Sequence, residues 1–212
     1  MAADTGAPIA AVAAALDRRW PDPFPGLALA DAWDTLVAVI LATGTSDTRA
    51  RHLAAVLAEH CAGPVAYRER PPSDLEPLLV GLPRRRDRAR AIIEAAGAVV
   101  RHHGAQVPLA HAALAELPGL GPWRADRLLA EYTGRPAPLI DQDVARVVRR
   151  LGWVATNAHL PAIRAALARR CLRATWIQRS LQLRAVGRGP CRPQRPRCRR
   201  CVLAAVCPSA TV

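Results

Sequence analysis

Four cysteines near the end of the chain form its most specific chemical pattern. Cys191, Cys198, Cys201 and Cys207 follow the spacing C-x6-C-x2-C-x5-C within an Arg- and Pro-rich segment. Four thiolates so close in sequence can bind one inorganic centre, either an iron–sulfur cluster or a structural zinc ion. Only Cys198 and Cys201 form the close pair that is usual at zinc sites, and the spacing alone does not separate the two kinds of centre.

Two disulfides are the alternative use of these thiols. The apolar stretch at the N-terminus has no basic segment before it, because Asp17, Arg18 and Arg19 come after it, so no secretory signal is indicated. We therefore expect a cytoplasmic protein with reduced thiols, and a metal centre rather than disulfides. The other two cysteines, Cys61 and Cys171, lie in apolar helical stretches and are interpreted as core residues.

The charge of the chain favours a polyanionic partner. Its 212 residues include 30 Lys and Arg against 17 Asp and Glu, a formal net charge of +13. A chain this basic usually binds nucleic acid. No apolar run approaches the roughly 20 residues of a membrane span, so we expect no membrane association. All the basic residues are Arg and none is Lys, so the chain has no side-chain amine that could form a Schiff base.

The elements that must position these groups are predicted to be helices, which makes the fold class all-α. Ser73 and Glu76 predict a capping box, and Gly104 predicts the end of a long helix. No segment shows a convincing alternation typical of a strand. Apolar residues recur at helical spacing in ten segments: 7–19, 31–42, 47–60, 74–80, 87–103, 109–116, 122–132, 142–151, 160–172 and 175–187.

A tight turn between two predicted helices is a candidate phosphate site. The segment Leu117-Pro118-Gly119-Leu120-Gly121 precedes an apolar helix, and its glycines permit positive φ and close backbone approach. Unpaired backbone N–H groups at the start of that helix can bind phosphate. An ordinary helix–turn–helix connection is the alternative. The high positive charge favours a helix–hairpin–helix element that binds DNA.

Asp141 is the candidate carboxylate. It follows Leu139 and Ile140 at a predicted helix start, where an aspartate is commonly an N-cap. The functional alternative is a carboxylate that faces DNA near the hairpin.

Together these motifs resemble endonuclease III and its relatives, the helix–hairpin–helix base-excision DNA glycosylases with a 4Fe-4S cluster. The likeness covers nearly the whole chain, with further matches at residues 40–47, 81–82 and 187–191. It implies a six-helix barrel domain at 26–135 and an iron–sulfur cluster domain formed by 1–25 and 136–212. It also implies that the four cysteines hold a 4Fe-4S cluster and that Asp141 is catalytic. The DNA-binding positions that we expect are Gly44, Gly119, Gly121, Arg124, Arg199 and Arg200.

Three positions depart from the family pattern. Trp123 stands where the family has the lysine that attacks the sugar C1′. Asp143 replaces a histidine, and Gly44 replaces the glutamine that fills the gap left by a flipped base. Trp123 can stack on a flipped base, block the base pocket or simply pack in the core.

The resemblance and its departures lead to one expectation about function and one alternative. We expect a monomer, associated with the nucleoid, that binds double-stranded DNA containing a damaged base or an abasic site. We expect Asp141 to support hydrolysis of the N-glycosidic bond without Schiff-base lyase activity. The alternative is a non-catalytic or very weak paralogue that binds damaged or bent DNA.

Overall fold

The computed structural model describes residues 6–21, 26–43 and 45–211, and within these ranges it is all-helical. Gly44 therefore lies outside the described residues. Single-turn 3-10 helices at Glu76–Leu79, Arg173–Thr175 and Cys198–Arg200 accompany the α-helices. The α-helices are α1 Ile9–Arg19, α2 Ala32–Leu41, α3 Asp47–His60, α4 Gly63–Arg68, α5 Pro72–Leu75, α6 Arg85–His103, α7 His111–Glu116, α8 Gly121–Tyr132, α9 Gln142–Arg150, α10 Leu160–Arg170 and α11 Trp176–Arg188.

Helix boundaries follow side-chain caps where the sequence supplies them. The Asp31 carboxylate accepts the Asp34 N–H at 2.8 Å, and the Ser46 hydroxyl accepts the Arg49 N–H at 3.2 Å. These bonds satisfy N–H groups that have no partner within the helix. At the C-terminal end of α6, Gly104 adopts a left-handed φ of 57° and ends the helix.

All ten predicted segments contain a helix, so the all-α prediction is confirmed. The short helix α4 was not predicted, because six residues are too few to show a helical period. The prediction of a capping box at Ser73 and Glu76 is wrong. Helix α5 starts after Pro71 with no side-chain cap, and the Glu76 carboxylate instead accepts the Arg86 Nε–H at 3.3 Å.

The chain divides into two compact units, one of residues 25–135 and one of residues 1–24 with 136–212. The first unit encloses an apolar core in which α2 is buried on nearly every side and Trp33 and Cys61 are buried. The second unit has its own core, which contains Trp153 and Cys171. Both cysteines predicted to be core residues are thus buried, and burial raises the pKa of both thiols.

A buried ionic network fixes α8 within the first unit. The Arg127 side chain is only 2% exposed and donates to the Asp47 carboxylate at 2.5 Å and to the Glu131 carboxylate at 2.7 Å. Glu131 also accepts the Leu27 N–H. Removing one partner from such a network leaves a buried charge uncompensated and costs roughly 3–5 kcal/mol. The network therefore holds α8, which carries the hairpin, in a defined position.

Candidate functional site

The hairpin turn between α7 and α8 lies at the surface, and two of its leucine side chains are buried beneath it. Leu117 and Leu120 are 5% and 3% exposed, whereas Gly119 between them is exposed. Gly119 has φ 78°, and a Cβ there would lie 2.8 Å from the Ala91 Cβ. Gly121 has φ 66° with open space around it. Helix α8 begins without a side-chain cap, so its first turn presents backbone N–H groups at the positive end of the helix dipole.

Two arginines hold the loop after α2, and one of them, Arg124, ties it to the hairpin. Arg124 donates to the Gly119 carbonyl at 2.7 Å and to the Thr43 hydroxyl at 2.6 Å. Arg88 donates to the carbonyls of Leu41 and Thr43, and to that of Pro83 at 2.9 Å. Burial, together with the charges of Arg124 and Arg84, lowers the pKa of Arg88.

A cavity of about 270 Å³ opens beside the hairpin, and five of its eight lining residues have polar or charged side chains. Three of its lining side chains are arginines and one is a carboxylate, so its surface carries excess positive charge. The lining residues are Ile40, Thr43, Arg84, Asp87, Arg88, Ala91, Gly119 and Arg124.

Trp123 lies in the first turn of α8 and is partly buried. The Arg127 guanidinium lies 5.8 Å from the centroid of its ring, a distance at which a cation is attracted to the aromatic face. Because Arg127 is itself held by Asp47 and Glu131, the indole packs against a fixed neighbour.

Asp141 is the N-cap of α9, which is one of the two roles predicted for it. Its Oδ1 accepts the Val144 N–H at 2.9 Å. Its Oδ2 accepts the Arg184 Nε–H at 2.7 Å, an ion pair whose side chains are 17% and 14% exposed. Sequence reasoning did not identify Arg184, because its partner lies 43 positions away and no local pattern links the two.

The neighbouring carboxylate, Asp143, has basic partners of its own. Arg146 donates to its Oδ1 at 2.6 Å, and Arg188 approaches its Oδ2 at 3.3 Å. The negative charge of Asp143 is therefore compensated within the same unit.

All four cysteines of the C-terminal pattern line one small cavity of about 30 Å³. None is in a disulfide, and Arg150 also lines the cavity and donates to the Cys191 Sγ at 3.2 Å. In the described ranges, no three or more His, Cys, Asp or Glu side chains are arranged to hold a single metal ion.

The thiols in this cavity differ in acidity. Backbone and side-chain hydrogen bonds from Thr211 lower the pKa of Cys198. Burial raises the pKa of Cys201 and of Cys207, and negative charge on the other cavity thiols adds to the rise. This electrostatic interaction follows from the four thiols lining the same cavity.

The arginines of the cysteine segment point outward. Arg199 and Arg200 are exposed and, with Arg197, border an open depression beside Cys198. None of the helices in the described ranges combines the length and apolar character that crossing a membrane requires.

Comparison with known proteins identifies the family and the fold of this chain. No family model matches the chain. Endonuclease III of Synechocystis sp. is 31% identical over 179 residues, which cover 82% of this chain and 80% of that protein. A solved endonuclease III in a non-covalent complex with DNA superposes with a TM-score of 0.70 at 24% identity, covering 95% of this chain and 94% of the other. A thermostable thymine-DNA glycosylase superposes with a TM-score of 0.68 at 19% identity, covering 95% of this chain and 94% of the other. The all-helical fold is shared with both structures, and the extent of the sequence identity places this chain in the endonuclease III family.

Proposed function

We propose that this protein is a monofunctional DNA N-glycosylase that releases a damaged base by hydrolysis and leaves the abasic strand intact. The observation that carries the proposal is Asp141, a helix-capping carboxylate that the resemblance aligns with the family's aspartate, in a chain without any lysine. Relatives named thymine-DNA glycosylase support a base-releasing activity within this group of proteins.

In the proposed reaction, the bond between the sugar C1′ and the base nitrogen breaks, and its electron pair leaves with the base. The sugar becomes cationic, and a carboxylate such as Asp141 stabilises that charge electrostatically. A water oxygen then bonds to C1′, and the proton that it loses balances the charge on the departing base. The base must leave the duplex stack for this step to occur.

Schiff-base chemistry is excluded from the proposal by the side chains present. An imine requires an amine, and the sequence offers none on a side chain. The family's lysine position carries Trp123, whose ring packs against Arg127. We interpret this rigid indole as a stacking surface for an unstacked base.

DNA binding is proposed for two surfaces. The exposed Gly119 and the uncapped start of α8 at Gly121 suit a backbone phosphate. Arg124, held against the hairpin carbonyls, adds positive charge there. Arg199 and Arg200 provide a second basic surface. Gly44, the remaining position with a proposed DNA contact, lies outside the described residues.

The four cysteines fit a 4Fe-4S cluster, because all of them line one cavity and thiolates are the usual ligands of such clusters. A bound cluster would cross-link a segment that has little regular structure, and Arg150 would donate a hydrogen bond to one ligand. Analysis of the purified protein should find about four irons and four sulfides per chain. A stable colourless protein with one zinc ion would contradict this assignment.

A panel of duplexes carrying single lesions tests the proposed activity. Binding and base release are measured separately for mismatched, deaminated, oxidised and alkylated bases. The proposal expects at least one lesion to be released by the wild-type protein. Binding to several lesions without any release would instead support the alternative, a non-catalytic paralogue, which the tryptophan at the lysine position favours.

A further inference from the structure

The ion pair between Asp141 and Arg184 is a feature that the proposed reaction does not require. Arg184 Nε lies 2.7 Å from Asp141 Oδ2, and both side chains are largely shielded from water. A charge-assisted contact of this length is a strong one, and low solvent access weakens its screening. The ion pair therefore has a net charge close to zero, although the proposed chemistry uses the negative charge of its carboxylate.

Arg184 is not required to orient the carboxylate. The other oxygen, Oδ1, accepts the Val144 N–H at 2.9 Å, and the Asp141 backbone begins α9. Those contacts fix the position of the side chain without any contribution from α11. The effect of Arg184 on Asp141 is therefore mainly one of charge.

The packing of α11 explains why the guanidinium reaches Asp141. Gly187 lies so close to α9 that a Cβ there would be 2.8 Å from the Asp143 carbonyl oxygen. On either side of this contact, Arg184 pairs with Asp141 and Arg188 pairs with Asp143. Two arginines one helical turn apart thus meet two carboxylates at the start of α9, and backbone packing keeps them there.

We propose that Arg184 is an inhibitory partner of Asp141: its guanidinium neutralises the carboxylate and slows base release. The inference rests on the proposed function, because it concerns the same carboxylate. A cationic sugar is stabilised by the field of Asp141, and a guanidinium on the same carboxylate opposes that field. This protein should therefore release bases slowly.

Three substitutions separate the charge of Arg184 from its hydrogen bond. Arg184→Gln keeps a donor and loses the charge, Arg184→Met loses both, and Arg184→Lys keeps the charge. Arg188→Gln is the matched control. It also removes one positive charge from α11, but that charge is paired with Asp143 and lies one turn further along the helix. Base release is measured in single turnover with protein in excess over a lesion duplex, so that rate and affinity are separated.

The Gln and Met variants should release the base roughly tenfold faster than the wild-type protein. The Lys variant should stay within about twofold of the wild type, and Arg188→Gln should not accelerate release. A merely structural role for Arg184 predicts slower release from all three variants. If Arg184→Met does not fold, the release rates of the Gln and Lys variants are compared with each other to test the inference.

Two results would overturn the inference alone. One is a folded, lesion-binding Gln variant that is no faster than the wild type, and the other is a Lys variant as fast as the Gln variant. Failure of the proposed function has a different signature: neither the wild type nor any Arg184 variant releases a base from a duplex that it binds, and the inference then fails with it.

Discussion

At the scale of single residues, Asp141 has one of the two roles that its sequence position predicts, the helix cap, and the catalytic role stays a prediction. One carboxylate oxygen caps α9, and the other is paired with Arg184. A cap and a carboxylate that stabilises a cation are compatible, because each role uses a different property of the group. The sequence predicts the cap from the apolar residues before it, but Arg184 comes from a distant helix and only the folded chain brings it close.

Replacing Asp141 by Asn separates the two roles. Asparagine caps helices about as well as aspartate, so the fold and lesion binding should be retained. The negative charge is lost, and removing one preorganised electrostatic group typically slows a reaction roughly 100- to 1000-fold. Single-turnover base release and lesion binding should be measured on the same preparation. Release at the wild-type rate would limit Asp141 to the capping role.

At the scale of elements, the helices were predictable because their apolar residues recur at a regular period and their ends carry recognisable caps. Ser73 shows the limit of such reasoning. Its spacing from Glu76 suits a capping box, but Pro71 and Pro72 already set the start of α5 and Glu76 pairs with Arg86 instead. A side chain with a distant partner of opposite charge is not available for a local cap.

The two hairpin glycines should respond differently to substitution by alanine. Both positions have positive φ, which costs a residue with a Cβ roughly 1–2 kcal/mol. Only at Gly119 would the new Cβ also meet another side chain, at 2.8 Å from Ala91. Gly119→Ala should therefore lower Tm by several degrees more than Gly121→Ala, which serves as the control, since each 1 kcal/mol shifts Tm by about 2–4 °C at this size. Equal losses would show that the contact with Ala91 is relieved without cost.

The start of α2 should make stability depend on pH. Burial, and then the charge of Asp31, raise the pKa of Asp34 to about 6. The folded chain therefore holds this proton to higher pH than the unfolded chain, so stability falls as the pH rises from about 4 to about 6. Asp34→Asn removes the penalty and should raise Tm at neutral pH, with the gain disappearing below about pH 4, where the wild-type carboxyl is protonated in both states. A gain that is independent of pH would contradict this assignment.

At the scale of the whole molecule, the net charge predicts the kind of partner but not the use of each arginine. The sequence gives Arg88, Arg127 and Arg199 no distinguishing mark. In the structure, Arg88 holds backbone carbonyls, Arg127 is buried between two carboxylates and Arg199 is exposed. Long-range partners determine these differences. The cysteine ligand set could be proposed from spacing along the chain, but spacing could not predict which arginines form the exposed basic surface.

DNA binding should depend steeply on salt because it releases counterions. The log–log slope should be about −0.9 for each phosphate contacted. Arg199→Glu and Arg200→Glu should each make the slope shallower by about one unit. Arg68→Glu, an exposed position on α4, changes the net charge by the same amount and is the control. A slope that responds equally to all three variants would mean that Arg199 and Arg200 act only through net charge.

The central claim, base release without strand cleavage, is tested most directly by treating one reaction in two ways. A lesion duplex from the panel is incubated with the protein, and half of the sample is heated in alkali, which cuts every abasic site, before the strands are resolved. The proposed function predicts cut strand only in the alkali-treated half, and no covalent complex when borohydride is added to protein with an acetylated N-terminus. Equal cleavage in both halves, or a trapped complex, would contradict base release without strand cleavage.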